Sequence, residues 1–301
     1  MDAGLAPATR RAYRAGTRRY RRFCGNHGLE ARPATEPTLL RFIAHSARAG
    51  LTAARISGML AGIRLWHVRH GSAWVGRTAR IQLALKGAAK LPHSCHRPRI
   101  AVTPDHLRQL RTYLRDRAMS PTDRAAAWAA ALLGFFGALR GSEYLSPAAH
   151  SFHPRRTCQW RHLSLSRSKL ELVLPASKTD QAYTGALVSL PALGGSMCPV
   201  AALRRYRRLT ADRAPAQPLF SRHNGLWCTS AWLNRLLRQA GIDSSGRITT
   251  HSLRIGFATA AAAAGVADST IQVSGRWRGS SYLRYIRGPR LAVWEACRAI
   301  L

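Results

Sequence analysis

The sequence predicts a mostly α-helical protein with a small antiparallel β-sheet, divided into an N-terminal helical bundle and a larger α+β domain. Apolar residues recur at three-four spacing through most of the chain, the signature of helices burying one face. One stretch, 163–190, alternates with period two around turn residues, as half-buried strands do. A segment with three prolines, 92–104, separates two periodic regions and reads as a linker. The length of 301 residues accommodates two domains, placed at 1–91 and 105–301.

Residues 8 to 91 contain four helical patterns: Thr9 to Cys24, Glu36 to Ala49, Ala53 to Arg69 and Arg77 to Leu91. In the third, Ile56, Met59, Leu60, Ile63 and Trp66 form one apolar stripe and are predicted core. Gly25, Gly50 and Gly71 follow helix ends, where a left-handed cap costs glycine little. The first segment is Arg-rich and acid-poor like a transit peptide, yet Tyr13, Tyr20 and Phe23 recur at helical spacing, which favours a packed helix. Beyond the linker, helices are expected over Asp105 to Arg117 and Thr122 to Leu139. The strands follow: Leu163, Leu165, Leu170, Leu172 and Leu174 alternate around SRSK, and a second turn, SKTDQAYTG, leads to a strand from Ala186 to Leu190. Helices resume over Pro199 to Thr210, Ser230 to Ala240, Thr250 to Ala264, a short piece near Ser269, and Ser280 to Arg287.

Charge narrows the partner. Lys and Arg number 47 against 13 acidic residues, a formal net charge of +34. Before residue 100 only Asp2, Glu30 and Glu36 are negative. Such an excess calls for a polyanion, and arginine binds phosphate bidentately, so nucleic acid is the expected partner, ahead of the blander reading of a ribosome-like or membrane-surface protein. No apolar run reaches the length of a membrane span. The six cysteines lack CxxC pairing, which argues against a zinc module or a disulfide framework. His93, Cys95 and His96, and the group His150, His153, Cys158 and His162, lack the paired spacing of a structural metal site. No metal and no cofactor is expected, and no Walker-type phosphate loop is present.

Four stretches carry the chemistry: GALRGSEYL (137–145), LPASKTDQ (174–181), THSLRIGFATAAAAAG (250–265) and SGRWRGSSYLRYIR (274–287). In this order the chain resembles the tyrosine recombinases, whose pattern runs Arg, hairpin Lys, His-x-x-Arg, a His or Trp after Gly, and Tyr. The phrasing of GRW and YLRYIR is most similar to DIRS-like or Crypton-like mobile-element recombinases, and residues 1–91 are similar to the family's core-binding domain.

The residue types suit phosphodiester chemistry in their own right. Cleavage by a protein hydroxyl builds charge on the phosphoryl oxygens, which cations and hydrogen bonds must stabilise where no metal does so. Arg140 follows an apolar helix expected to hold it rigidly, with Glu143 three residues on as a supporting, orienting group. His251 and Arg254, three apart at a helix start, are expected to project from one face toward one phosphate. His251 is suited to proton exchange with an attacking phenol, its ordinary pKa being about 6.5. Lys178, in the turn between the second and third strands, is the candidate general acid for the leaving 5′ oxygen.

The resemblance implies the rest. The family spacing places the nucleophile nine residues after its His or Trp, which selects Tyr285 over Tyr282 and puts Arg276 at the fifth position. Either Arg276 donates to the phosphate, or a one-residue shift lets the Trp277 indole do so. The expected activity is site-specific DNA recombination or integration through a 3′-phosphotyrosyl intermediate, by a homotetramer on paired sites. The C-terminal stretch 291–301 is apolar enough to dock on a neighbour or on its own domain. Location would be the nucleus in a eukaryote, or the cytoplasm and nucleoid in a bacterium. Two other readings stand beside it: a domesticated, non-cleaving DNA-binding protein of the same fold, and a type IB topoisomerase-like strand relaxer.

Overall fold

A computed structural model describes residues 5, 7–91, 99–175, 185–243 and 245–284. The chain divides into two compact units, 1–97 and 98–301.

Among its described residues the first unit has four helices: α1 (Pro7–Asn26), α2 (Glu36–Arg48), α3 (Ala53–Arg69) and α4 (Ala79–Lys90). Thr35, Thr52 and Thr78 cap α2, α3 and α4, each hydroxyl accepting from a backbone N–H in the first turn. Tyr20, Leu39, Phe42, Ile56, Ile63 and Ile81 are fully buried between them. Gly62 lets α1 and α3 touch, since a Cβ there would strike the Tyr13 backbone. Gly25, expected just past the first helix, lies inside it, because α1 runs on to Asn26; the left-handed residue is Gly28, with φ of 60°.

The second unit begins with α5 (Pro104–Asp116), capped by Thr103, and α6 (Pro121–Phe136), capped by Ser120. From Ala125 through Phe135 almost every side chain of α6 is buried, and most are alanine. Small side chains let neighbours approach closely, so α6 becomes the central rod of this unit. A single turn, α7 (Gly141–Tyr144), follows. The sheet is three antiparallel strands in the order β1 (Leu163–Leu165), β2 (Lys169–Leu174), β3 (Ala186–Pro191). Its register pairs Leu170 with Leu190 and Leu172 with Val188, which puts Leu170, Leu172 and Leu174 on the buried face. Then come α8 (Pro199–Arg208), α9 (Ser230–Gln239), α10 (Thr250–Ala263) and α11 (Asp268–Gly275). The pattern expected as a helix from Ser280 is a 3₁₀ turn, Gly279–Arg284, as far as the described residues reach.

The helix expected to run to Leu139 stops at Phe136. Ala138 turns left-handed, with φ of 45°, and the Gly137 and Ala138 N–H groups close the end on carbonyls of α6. None of the helices found among the described residues is long and apolar enough to cross a membrane.

Candidate active site

The Ala138 turn is the centre of the site. Arg140 is held by Glu143, three residues on, the orienting group expected of it. Its backbone N–H donates to Glu143 Oε2 at 2.8 Å and its Nη1 to Oε1 at 2.7 Å. Glu143 is buried, and a carboxylate out of water is costly unless cations and donors surround it. The second cation is Arg276, whose Nη2 lies 3.4 Å from Oε2.

Arg276 ends α11 in the left-handed conformation, φ 54°, which turns its side chain back over the α6 terminus. There Nη1 donates to the carbonyls of Gly137 and Ser274, at 3.2 and 3.0 Å, and Nη2 to that of Ala138 at 3.2 Å. Burial pulls this guanidinium below the ordinary arginine pKa, Glu143 pulls against it, and Arg140 adds to burial.

Arg254 comes from α10 and differs from the expectation. Rather than projecting beside His251 toward an external target, it is fully buried. Nη1 donates to Ala138 O at 2.6 Å and Nη2 to Gly275 O at 2.5 Å, and the guanidinium lies 4.3 Å from the Trp277 ring centroid. Arg254 thereby ties the α6 turn to the end of α11. Gly275 leaves room for that indole, since a Cβ there would overlap the ring.

His251 is half-buried at the first turn of α10, with its pKa lowered to about 4. Burial is the main cause, followed by Arg99, Arg254 and Arg140, with Glu143 opposing. The imidazole is therefore neutral near pH 7. Its helix is fixed by groups the sequence did not reveal as important. Asn234 Oδ1 accepts from the Thr250 N–H at 2.6 Å, and the Asp243 carboxylate accepts from the Ile248 and Ser245 N–H groups, at 2.7 and 2.9 Å. Asn234 sits inside α9 and Asp243 seven residues before α10, so no local pattern marks either of them.

Four basic side chains from three distant segments thus meet around one turn, in a fold that can be compared. The fold matches XerH site-specific recombinase bound to palindromic difH substrate with a TM-score of 0.57 at 17% identity, covering 88% of this chain and 72% of that one. It matches Tn1549 transposon integrase in complex with transposon right end DNA with a TM-score of 0.60 at 15% identity, covering 96% and 93%. The fold is that of the tyrosine recombinases. No family model and no curated protein matches the sequence.

Two of the expected recombinase residues, Tyr285 and Lys178, lie outside the described residues, as do His93, Cys95 and His96 and the 291–301 stretch. In sequence Lys178 falls between β2 and β3, which pair antiparallel. Tyr282 packs near Trp277, ring centroids 6.4 Å apart, and its hydroxyl donates to Asp268 at 3.4 Å. Among the described residues no group of three His, Cys, Asp or Glu could hold a metal ion.

Proposed function

We propose that this chain is a site-specific DNA recombinase or integrase that cleaves and rejoins duplex DNA through Tyr285. The observation that carries the reading is the meeting of Arg140, His251, Arg254 and Arg276 around the Ala138 turn, within a recombinase fold. Arg140 and Arg276, each about a fifth exposed and steered by Glu143, face the scissile phosphate and stabilise the charge that builds on its oxygens. Neutral His251 accepts the phenol proton of Tyr285 as its oxygen attacks phosphorus. The 5′ oxygen leaves with a proton from Lys178, and the 3′-phosphotyrosyl bond keeps the phosphodiester's energy for rejoining. Arg254 acts from behind, holding the two turns that aim Arg140 and Arg276. No step needs a metal or a cofactor.

Residues 1–91 serve as the core-binding domain, linked through 92–104 to the catalytic domain, and the working form is a homotetramer on paired sites. The YLRYIR phrasing favours a DIRS-like or Crypton-like element, with action in the nucleus of a eukaryotic host.

A second reading, a non-cleaving DNA-binding protein of the same fold, is favoured by one observation. Arg276, where the family has His or Trp, is already engaged by three carbonyls. Supercoiled plasmids carrying two copies of a duplex site selected from a randomised pool separate the readings. Recombined circles support the recombinase. Relaxed circles without exchange indicate a topoisomerase, and binding without either indicates the non-cleaving protein.

A further inference from the structure

We propose that the second unit carries a separate binding site for single-stranded nucleic acid, at the end of α6 away from the Ala138 turn. The inference does not rest on the recombinase reading. A cavity of about 510 Å³ is walled by Arg108, Arg111 and Arg115 of α5, Arg124 of α6 and Arg205 of α8, with Trp128 among its lining residues. On α5 the arginines stand three and four apart, so one face of that helix presents all three. Arg124 and Trp128 are likewise one turn apart on α6. From Arg124 to the end of α6 at Phe136 is about 18 Å of helix, so the cavity is remote from Arg140.

Two of the five cations have exposed local partners, Asp105 for Arg108 and Asp116 for Arg115. Exposed pairs of this kind hold their charges loosely and yield to a stronger anion. Arg124 is anchored through the carbonyls of Arg117 and Met119, while its buried Nε has no partner. The wall is therefore a surplus of guanidinium groups around an apolar and aromatic lining.

That combination selects the ligand. Guanidinium groups meet phosphate oxygens bidentately, and an indole offers a face to a base. A duplex keeps its bases stacked and presents none, so the occupant is an unstacked strand. An occupant from another copy of the chain is disfavoured, because 13 acidic residues spread over 301 supply no anionic tract. An acidic peptide would satisfy the charges and leave Trp128 without a stacking partner.

The test is fluorescence anisotropy of a labelled oligothymidylate on the full chain, with selected duplex already saturating the protein. Arg111, Arg115 and Arg205 are exposed, so their joint replacement by Ala spares the core. A control replaces Arg155, Arg161 and Arg167, also exposed and outside the cavity, and matches the loss of charge. The pocket variant is expected to lose about tenfold or more in strand affinity while the control loses little. Circular dichroism melts verify that both remain folded. Equal losses in the two variants, or no loss in either, overturn the proposal. So does displacement of the strand by a short polyglutamate at equal concentration, which would make the site one for acidic protein.

Discussion

Arg276 donates to the carbonyl of Ala138 at 3.2 Å, and these two are the non-glycine residues with positive φ among the described residues. Backbone in that region costs an L-residue roughly 1–2 kcal/mol and persists where surrounding contacts enforce it. Here the enforcing contacts are Arg254 and Arg276 themselves, both bonded to Ala138 O. The cation cluster and the strained turns therefore stabilise each other.

Ala138 is buried, so the turn can be probed in both directions. Ala138→Gly should stay within about 1 kcal/mol of wild type in urea denaturation, as relief of φ strain offsets the lost methyl. Ala138→Val should cost more than about 2 kcal/mol, since a β-branched residue tolerates positive φ worst.

Glu143 carries the negative charge between two arginines. Glu143→Gln keeps the shape but weakens charge-assisted bonds to Arg140 and Arg276, with an expected loss of about 1.5–3 kcal/mol in chemical denaturation. DNA cleavage should fall further than stability, because both guanidinium groups lose their aim.

Arg254→Lys tests the buried cation as an organiser. Lysine cannot serve both carbonyls and lie flat on the Trp277 ring, so about 2–4 kcal/mol of stability should be lost, with a change in near-ultraviolet circular dichroism. Gly275→Ala should cost about 1–3 kcal/mol by forcing the indole aside.

His251 should titrate near 4 by NMR, and Arg99→Ala or Arg140→Ala should raise that midpoint. Because the folded pKa is depressed, the unfolded chain takes up this proton first as pH falls. Its contribution to stability is complete above about 6.5 and is lost progressively as pH drops toward 4.

Much of this was legible in the sequence because the signals were local. The Ile56 to Trp66 stripe and the alternating leucines each depend on spacing within a few residues. Arg140, His251, Arg254 and Arg276, named from the sequence, lie around the same turn. What they do there was less visible. An alanine after GFFG gives no hint of a left-handed turn, because alanine is the best helix former and only distant partners impose the strain. Arg254 reads as an exposed cation in HxxR, and its burial depends on Trp277 and Gly275, which lie over twenty positions away. Asn234 and Asp243 fix α10 through backbone groups, a role no residue pattern announces.

The most direct test of the central claim is covalent trapping on a nicked suicide duplex carrying the selected site, followed by peptide mapping of the adduct. A nucleotide on Tyr285, absent in Tyr285→Phe and retained in Tyr282→Phe, is the predicted result. An adduct on Tyr282, or no adduct from wild-type protein that binds the duplex, would contradict it.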